Sequence, residues 1–153
     1  MMEITMQNIQ AKSRAYKEYL EKQETYTSQV IKKYCIYFIA GSEQELKKQM
    51  LAKGYKPEQL VPLGAGAYCL KKHEAAVDKM FDKVYDDKKK YLADPDNFYG
   101  ALYYELWNNE YYYNADNKAI ADALLINECD IMATYPDANK VVNLYVSEME
   151  NIL

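Results

Sequence analysis

Residues 32–40, KKYCIYFIA, require apolar cover on both sides, and this requirement restricts the fold of the chain. In an extended segment, successive side chains point to opposite faces. Both sets are apolar or aromatic here: Tyr34, Ile36 and Phe38 on one face, and Cys35, Tyr37 and Ile39 on the other. A strand of this kind is covered on both faces by other elements. The segment therefore predicts a strand in a sheet that is packed by helices.

A capped helix is predicted directly after this strand, and a second strand follows it. Ser42 precedes Glu45 by three positions, the spacing of a capping box, and Gly54 supplies a stop about three turns later. Residues 61–72, VPLGAGAYCLKK, then place a glycine-punctuated turn before an apolar run. We therefore expect a second short strand through Tyr68–Leu70.

The rest of the chain has helical spacing. A narrow seam of apolar or small residues begins the chain: Met2, Met6, Ile9, Ser13, Tyr16 and Leu20. This seam predicts a first helix that ends at about Glu24, and later spacing predicts a long helix from about Lys72 to Tyr91. The tyrosine-rich helix is predicted to begin with Asp94 as N-cap and Pro95 as N1, and to end at about Tyr113. A shorter helix is predicted to begin at residues 114–116, and a last helix at Pro136. With the helix after Ser42, the fold class is α+β: a small two- or three-stranded antiparallel sheet packed by about six helices.

The length of 153 residues predicts one domain over residues 1–153, with residues 1–26 as an N-terminal helical arm. The arm would pack on the domain or on a second subunit, which would make a homodimer. No apolar run is long enough for a bilayer and the first residues lack a signal-peptide core, so we expect no membrane association and a cytoplasmic location. Three cysteines without CxxC spacing favour reduced, mostly buried thiols.

The charge is divided unevenly along the chain. Residues 1–92 contain 17 Lys/Arg against 12 Asp/Glu, whereas residues 93–153 contain two lysines against 11 acids, so the halves carry +5 and −9. The single arginine, Arg14, leaves the chain poorly equipped for bidentate phosphate recognition. Direct nucleic-acid binding is therefore disfavoured, although lysines and tyrosines of residues 12–91 are its candidate contacts.

The sequence offers no catalytic motif. His73 is the only histidine, which excludes a multi-histidine metal site, and no acidic set has the spacing of a calcium loop. We expect no cofactor, no metal and no enzymatic activity. The alternative is a Glu-based hydrolase with Glu110, because this carboxylate follows Leu106 and Trp107 by one helical turn and would be drawn among aromatic rings. There it would act as a general base or, in the structural interpretation, join a buried hydrogen-bond network.

Residues 103–114, YYELWNNEYYYN, combine five tyrosines and the single tryptophan with two acids. Tyrosine suits a binding surface because it covers area at a small entropic cost and keeps a polar tip. The predicted partner-binding residues are Tyr104, Glu105, Trp107, Asn108, Asn109, Glu110, Tyr112, Asp116 and Asp122.

The segment GAGA at residues 64–67 is the second candidate site. Its backbone would approach a phosphate-bearing ligand closely, yet it matches neither a dinucleotide fingerprint nor a P-loop, so a tight structural turn is the competing interpretation. The ligand-binding residues of this alternative are Gly64, Gly66, Tyr68 and Lys71.

Several of these segments together resemble a family of small uncharacterised proteins from phages and other mobile elements of gut bacteria. The family pattern is an aromatic strand running into a Ser-led helix, a Gly-rich turn, Tyr-Glu-Leu, an Asn-His-Glu-Tyr segment and an Asp that opens a short helix. These features fall on Phe38 to Ser42, Gly64 to Tyr68, Tyr104 to Leu106, Asn108 to Tyr111 and Asp116, within residues 34–126. Asn109 stands where the family pattern has histidine. The resemblance implies a mobile-element origin, and with it a bacterial host cell, and it weighs against imidazole chemistry in this chain.

Two functions follow. The first is a non-catalytic interaction protein whose acidic, tyrosine-rich C-terminal part binds and blocks a basic host or defence protein, an anti-defence role of the anti-CRISPR kind. The second is a protein that binds or sequesters a nucleotide-like small ligand between the Gly64–Tyr68 turn, the strand at Tyr37–Gly41 and the Glu105–Glu110 helix.

Overall fold

The computed structural model describes residues 2–128 and 131–153. The α-helices in this part of the chain are α1 (Met6–Tyr34), α2 (Glu43–Ala52), α3 (Glu74–Leu92), α4 (Pro95–Asn108), α5 (Tyr111–Asn114), α6 (Asn117–Ala123) and α7 (Ala138–Ile152). The strands are β1 (Cys35–Tyr37), β2 (Leu60–Gly64) and β3 (Ala67–Leu70), and single 3₁₀ turns occupy Pro57–Gln59 and Lys71–His73. The predicted α+β class with a small antiparallel sheet is confirmed.

The chain divides into two compact units. The first consists of Met1–Lys22 and Asp86–Leu153, and the second of Gln23–Tyr85. The first contains 16 Asp/Glu against 9 Lys/Arg and the second 7 against 10, so their net charges are −7 and +3. We call them the acidic unit and the sheet unit. The charge asymmetry of the sequence thus follows the structural division, whose boundaries fall inside α1 and α3.

The sheet unit is built on three antiparallel strands in the order β1-β3-β2. The hairpin between β2 and β3 turns through Ala65 and Gly66, which both have positive φ (51° and 77°). A two-residue loop with positive φ at both positions matches the twist of the flanking strands. The segment GAGA is therefore a hairpin turn, as its structural interpretation predicted.

Helix α2 covers one face of this sheet. Ser42 is its N-cap and accepts a hydrogen bond from the Glu45 backbone N–H, while the Glu45 carboxylate accepts one from the Gly41 N–H. The predicted cap at Ser42 is confirmed. Met50 of α2 packs with Phe38 and Leu60 in a small core, which partly buried neighbours complete: Ile36, Leu46, Tyr55, Tyr68 and Leu70.

The acidic unit has the larger core, in which α4 is central. Eight residues of α4 are buried, and α7, the first half of α1 and α6 contribute most of the other side chains of the same cluster, which Leu92, Leu124 and Ile131 complete. Ile9 and Tyr16 of α1 are completely buried there. Gly100 lets α1 and α4 approach, because a Cβ at this position would lie 2.5 Å from the Lys12 carbonyl carbon.

The structure differs from the predictions most clearly at three elements. Helix α1 continues to Tyr34, so the strand predicted over residues 32–40 is reduced to Cys35–Tyr37. Residues 60–64 add a strand, because this short apolar segment pairs with β3. The tyrosine-rich helix ends at Asn108 instead of Tyr113, because Glu110 adopts a left-handed backbone conformation (φ 51°) that an α-helix cannot include.

Candidate functional site

The tyrosine-rich segment lies entirely in the acidic unit, and α4 fixes its beginning. The Asp94 side chain caps α4 by accepting from the N–H groups of Asp96 and Asn97, and Pro95 occupies the first turn as predicted. The next turns bury one face of the helix in the core. Near its C-terminal end Leu106 is buried whereas Trp107 is 36% exposed, so the helix passes from core to surface at this point.

Glu105 is the buried carboxylate of the site, with 5% of its surface exposed. One oxygen, Oε1, accepts from the Tyr16 hydroxyl at 3.4 Å, and Oε2 accepts from the Asn109 side-chain amide at 3.0 Å and from that of Asn108 at 3.4 Å. In addition, the charge of Glu105 acts on Lys88. Burial lowers the pKa of Lys88, and the Glu105 charge opposes this shift.

The prediction that Glu110 is the acid enclosed by aromatic rings is wrong. Glu110 is exposed and begins the short helix α5 in a left-handed conformation, whereas Glu105, one turn before Asn109, occupies the enclosed position. The helix ends before Glu110, so the helical spacing that placed Glu110 beside Leu106 and Trp107 does not apply. Glu105 and Asn109 therefore stabilise α4 and its C-terminal end. They offer little surface to a partner.

Residues 109–116 form a turn that we call the aromatic turn. Glu110 and Ala115, with φ of 51° and 46°, bracket α5. The Asn114 side chain donates to the Asn109 carbonyl at 2.7 Å and accepts from the Asp116 N–H at 2.9 Å. These bonds hold the ends of the turn in a defined conformation.

Tyr145 of α7 anchors the aromatic turn to the core. Its hydroxyl accepts from the Tyr112 N–H at 3.0 Å, and its ring lies edge-to-face with Trp107 (centroids 5.3 Å apart) and with Tyr111 (6.4 Å). Tyr145 itself is buried. Trp107 and the aromatic turn consequently lie on the same side of the unit and are positioned by one side chain.

Two tyrosines of this turn face solvent. Tyr112 and Tyr113 are 36% and 67% exposed, and their rings contact each other edge-to-face at 5.5 Å. Tyr104, also predicted to bind a partner, is instead half-buried against the core and packs edge-to-face on Tyr16. Of the predicted aromatic contacts, Trp107 and Tyr112 are therefore available, and Tyr113 joins them.

The predicted acids at the two ends of α6, Asp116 and Asp122, are exposed. Asp116 caps α6 by accepting from the Ala119 N–H at 3.0 Å. Asp122 pairs with Lys118 one turn earlier at 3.2 Å, and both side chains are more than half exposed, so this ion pair contributes little stability. Together with Glu110 these residues place negative charge around the aromatic turn.

A cavity of about 270 Å³ opens beside the aromatic turn. Its apolar wall is Leu106, Ile120, Ile131 and Val142, all nearly completely buried. Tyr111, Met132 and the exposed polar side chains of Asn117 and Glu128 complete the lining. The cavity has the volume of a large side chain or a small ligand, and its charged lining residue is an acid.

The residues of the alternative ligand site lie in the sheet unit. Gly66 and Tyr68 line a cavity of about 270 Å³ with Phe38, Ala40, Gly41, Ser42, Glu43 and Leu46. The predicted neighbours from Tyr37–Gly41 are therefore present, but the third wall is the start of α2. The predicted Glu105–Glu110 segment belongs to the acidic unit. Gly64 and Lys71 are not in the lining, and Glu43 brings a negative charge that opposes phosphate binding.

His73 lies in the 3₁₀ turn before α3 and packs against the Tyr34 ring at 4.8 Å. Within residues 2–128 and 131–153 no group of three or more His, Cys, Asp or Glu side chains has the arrangement of a metal site. Cys129 of the predicted thiols lies outside the described residues, while Cys35 and Cys69 are free.

Two parts of the site were missed from the sequence. These are Tyr145 and Glu128, which follow residues 103–114 later in the chain. Nothing in the sequence around either residue indicated that it lies close to the tyrosine-rich segment. The apolar spacing of α7, with Val141, Val142 and Tyr145, predicted a buried face. It could not tell which element that face contacts.

Comparison with known proteins gives a family without an assigned activity. A protein-family model, described as a family of unknown function, matches residues 4–148. No curated protein and no solved structure matches the chain significantly. In the described part of the chain, no helix combines the length and apolar character needed to cross a bilayer.

Proposed function

The chain belongs to DUF7659, a family of unknown function, and we propose that it is a non-catalytic binding protein whose acidic unit docks on a basic surface of a partner protein. The contact surface consists of Trp107, the aromatic turn and the surrounding exposed acids. The observation that carries the proposal is the combination of exposed aromatic rings with exposed acids on a unit of net charge −7.

The arrangement of this surface fits protein binding. Trp107, Tyr112 and Tyr113 provide aromatic area on a backbone that Tyr145 and the Asn109–Asn114 hydrogen bond hold in place. A rigid surface loses little conformational entropy on binding. Trp and Tyr are also the side chains that most often supply a large part of the binding energy at protein interfaces.

The lining of the cavity beside the aromatic turn suits a partner that presents both apolar and basic groups. Its wall of Leu106, Ile120, Ile131 and Val142 suits one inserted apolar side chain, and Glu128 suits a neighbouring lysine or arginine. Negative potential around the cavity would accelerate association with a basic partner, and the acceleration would weaken as salt is added.

The partner class follows from the resemblance to proteins of phages and mobile elements of gut bacteria. A protein that binds and blocks a host or defence protein with a basic surface would act by occupying a groove that normally holds nucleic acid. In a bacterial host, blocking such a protein would be an anti-defence role of the anti-CRISPR kind. A homodimer through α1 stays a prediction.

The ligand alternative also stays a prediction, and its candidate site is the cavity lined by Gly66 and Tyr68. Glu43 in the lining argues against a nucleotide phosphate. The Glu-based hydrolase required Glu110 to be enclosed by aromatic rings, and Glu110 is exposed. Glu105 is engaged by Tyr16, Asn108 and Asn109.

Affinity capture from a nuclease-treated lysate of a gut bacterium tests the proposal with three forms of the chain. The acidic-unit variant combines four exposed substitutions: Glu110→Gln, Asp116→Asn, Asp122→Asn and Glu128→Gln. The matched control removes four exposed acids of the sheet unit: Glu24→Gln, Glu58→Gln, Asp78→Asn and Asp82→Asn.

We expect a basic protein to be retained by the wild-type chain and by the control, and lost by the acidic-unit variant. Asparagine at position 116 keeps the helix cap, so the variant should fold normally. Equal retention by all three forms would refute the role of these acids, and retention of no basic protein by any form would refute the proposal itself.

A further inference from the structure

Cys35 and Cys69 lie opposite each other on adjacent strands of the sheet unit. They are directly opposite in the antiparallel register of β1 and β3, although 33 residues separate them in the sequence. Side chains at opposite positions of an antiparallel pair lie on the same face of the sheet. Both thiols are free, and Cys35 is one of the groups that raise the pKa of Cys69, after burial.

The hydrogen-bond pattern shows which kind of pair they form. The Phe38 N–H donates to the Gly66 carbonyl at 3.1 Å, which places residues 38 and 66 in a hydrogen-bonded pair of the same register. Hydrogen-bonded and non-hydrogen-bonded pairs alternate along an antiparallel ladder. Cys35 and Cys69, three positions further along, therefore occupy a non-hydrogen-bonded pair, in which the side chains approach most closely.

The backbone spacing of such a pair is compatible with a disulfide. Opposite Cα atoms at non-hydrogen-bonded positions are about 4.5 Å apart, at the short end of the range of about 4.4–6.8 Å found in disulfides. Disulfides away from the preferred geometry are more easily reduced, so a bond here would form and open reversibly.

We propose that Cys35 and Cys69 are a dithiol modification site, which closes to a disulfide by exchange with a small-molecule disulfide such as glutathione disulfide. This site lies in the sheet unit and is separate from the proposed binding surface. It gives the chain a covalent response to its redox surroundings.

The exchange proceeds in two steps. Cys35 is partly exposed whereas Cys69 is completely buried, so the Cys35 thiolate attacks the small disulfide first and releases one glutathione thiolate. The Cys69 thiolate then attacks the Cys35 sulfur of the mixed disulfide and releases the second glutathione. The two thiol protons pass to the two leaving thiolates. One glutathione disulfide is thereby reduced to two glutathione molecules while one protein disulfide forms.

The environment of the two thiols makes the exchange slow. Burial raises the pKa of both thiols, and for Cys69 the neighbouring Cys35 and the acids Glu74 and Asp78 raise it further. Fewer thiolates at neutral pH reduce the rate of attack. The short distance favours the second step over accumulation of a stable glutathione adduct.

The test uses the Cys129→Ser chain, in which the pair supplies all the thiols, together with the wild-type chain. Each is treated with glutathione disulfide, unfolded, alkylated with N-ethylmaleimide and measured by intact mass and peptide mapping. We expect a mass loss of two hydrogens, no alkylation at either cysteine and a peptide that joins residues 35 and 69. The oxidised chain should unfold at a higher temperature, because the crosslink constrains the unfolded state, and dithiothreitol should reverse the increase.

Three results would overturn the proposal. They are a stable glutathione adduct on Cys35 with Cys69 still alkylated, a disulfide between two chains, and formation of the 35–69 bond only after the chain is unfolded. Peptide mapping of the oxidised wild-type chain controls for an effect of the Cys129→Ser substitution, because the peptide that joins residues 35 and 69 should be the main crosslinked product of that chain as well. The Cys35→Ser variant serves as the matched control, because it should leave Cys69 unmodified in the folded chain.

Discussion

The Tyr16 hydroxyl donates a hydrogen bond to Glu105 across 3.4 Å and thereby connects α1 to α4 inside the acidic unit. Tyr16 is completely buried and Glu105 nearly so. Glu105 also accepts from the Asn109 side chain, which itself donates to the Glu105 carbonyl. The same carboxylate therefore stabilises the packing of α1 on α4 and the end of the helix from which the aromatic turn projects.

Glu105→Ala should destabilise the acidic unit. The substitution leaves the buried Tyr16 hydroxyl without its acceptor and removes one of the two bonds of the Asn109 amide, and a buried polar group without a partner costs about 1–3 kcal/mol. We expect the free energy of unfolding in urea to fall by about 2–3 kcal/mol. Glu110→Ala is the matched control, because Glu110 is exposed, and it should change stability by less than about 0.5 kcal/mol. Equal effects of the two substitutions would contradict the assignment of Glu105 as the buried acid.

Gly100→Ala should destabilise the chain although alanine is the better helix former. The added Cβ would lie 2.5 Å from the carbonyl carbon and 2.6 Å from the carbonyl oxygen of Lys12, and backbone atoms cannot move aside as a flexible side chain can. The gain in helix propensity is about 1 kcal/mol, whereas overpacking of this kind costs about 1–3 kcal/mol or more.

Urea unfolding of this variant should show a net loss of about 1–2 kcal/mol. Gly41→Ala is the comparison, because its Cβ would meet the Glu45 carboxylate at an ordinary 3.5 Å, and it should be nearly neutral. A Gly100→Ala chain as stable as wild type would show that α1 and α4 are further apart than described.

Alkaline pH should destabilise the acidic unit through Tyr16. Burial, and then the charge of Glu105 and its hydrogen bond, raise the pKa of Tyr16 above the ordinary value of 10.0. Below about pH 10 both the folded and the unfolded chain keep this proton, so Tyr16 contributes no pH dependence. Above it the unfolded chain releases the proton first, so stability falls as the pH rises.

Urea unfolding of wild type and Tyr16→Phe between neutral and alkaline pH measures this effect. Above about pH 10 the wild-type free energy of unfolding should fall more steeply, by about 1.4 kcal/mol per pH unit, since one proton is involved. Burial also raises the pKa of Tyr91, Tyr103 and Tyr135, so the Phe variant should keep a smaller slope. Parallel curves for the two chains would exclude Tyr16 as a source of the slope.

The local parts of the fold could be predicted because short-range signals determine them. Ser42 and Asp94 cap helices where their spacing to the following residues indicated, and Asp116 caps the short helix that the family resemblance implied at this position. The chain reversal at residues 64–67 followed from glycines that tolerate positive φ. The division of charge between two segments also appeared in the structure, as two units of opposite net charge.

The buried acid and the cavity could not be predicted, for two physical reasons. Helical periodicity fails where a non-glycine residue takes a left-handed conformation, and Glu110 does so in the middle of the tyrosine-rich segment. In addition, the contacts of Glu105 with Tyr16, and of Tyr112 with Tyr145, join residues 89 and 33 positions apart. No local pattern encodes such pairs.

The most direct test of the proposed function is a titration of the chain with the basic protein retained in the capture experiment, followed by the fluorescence of Trp107. This residue is the only tryptophan and is part of the proposed surface. A partner without tryptophan, or a tryptophan-free variant of the partner, gives the clearest signal. We predict that Trp107 emission changes on binding, that affinity falls as salt increases, and that the acidic-unit variant binds more weakly than the sheet-unit control, with the largest difference at low salt. Binding that leaves Trp107 emission unchanged, with one affinity for both variants at every salt concentration, would contradict the account.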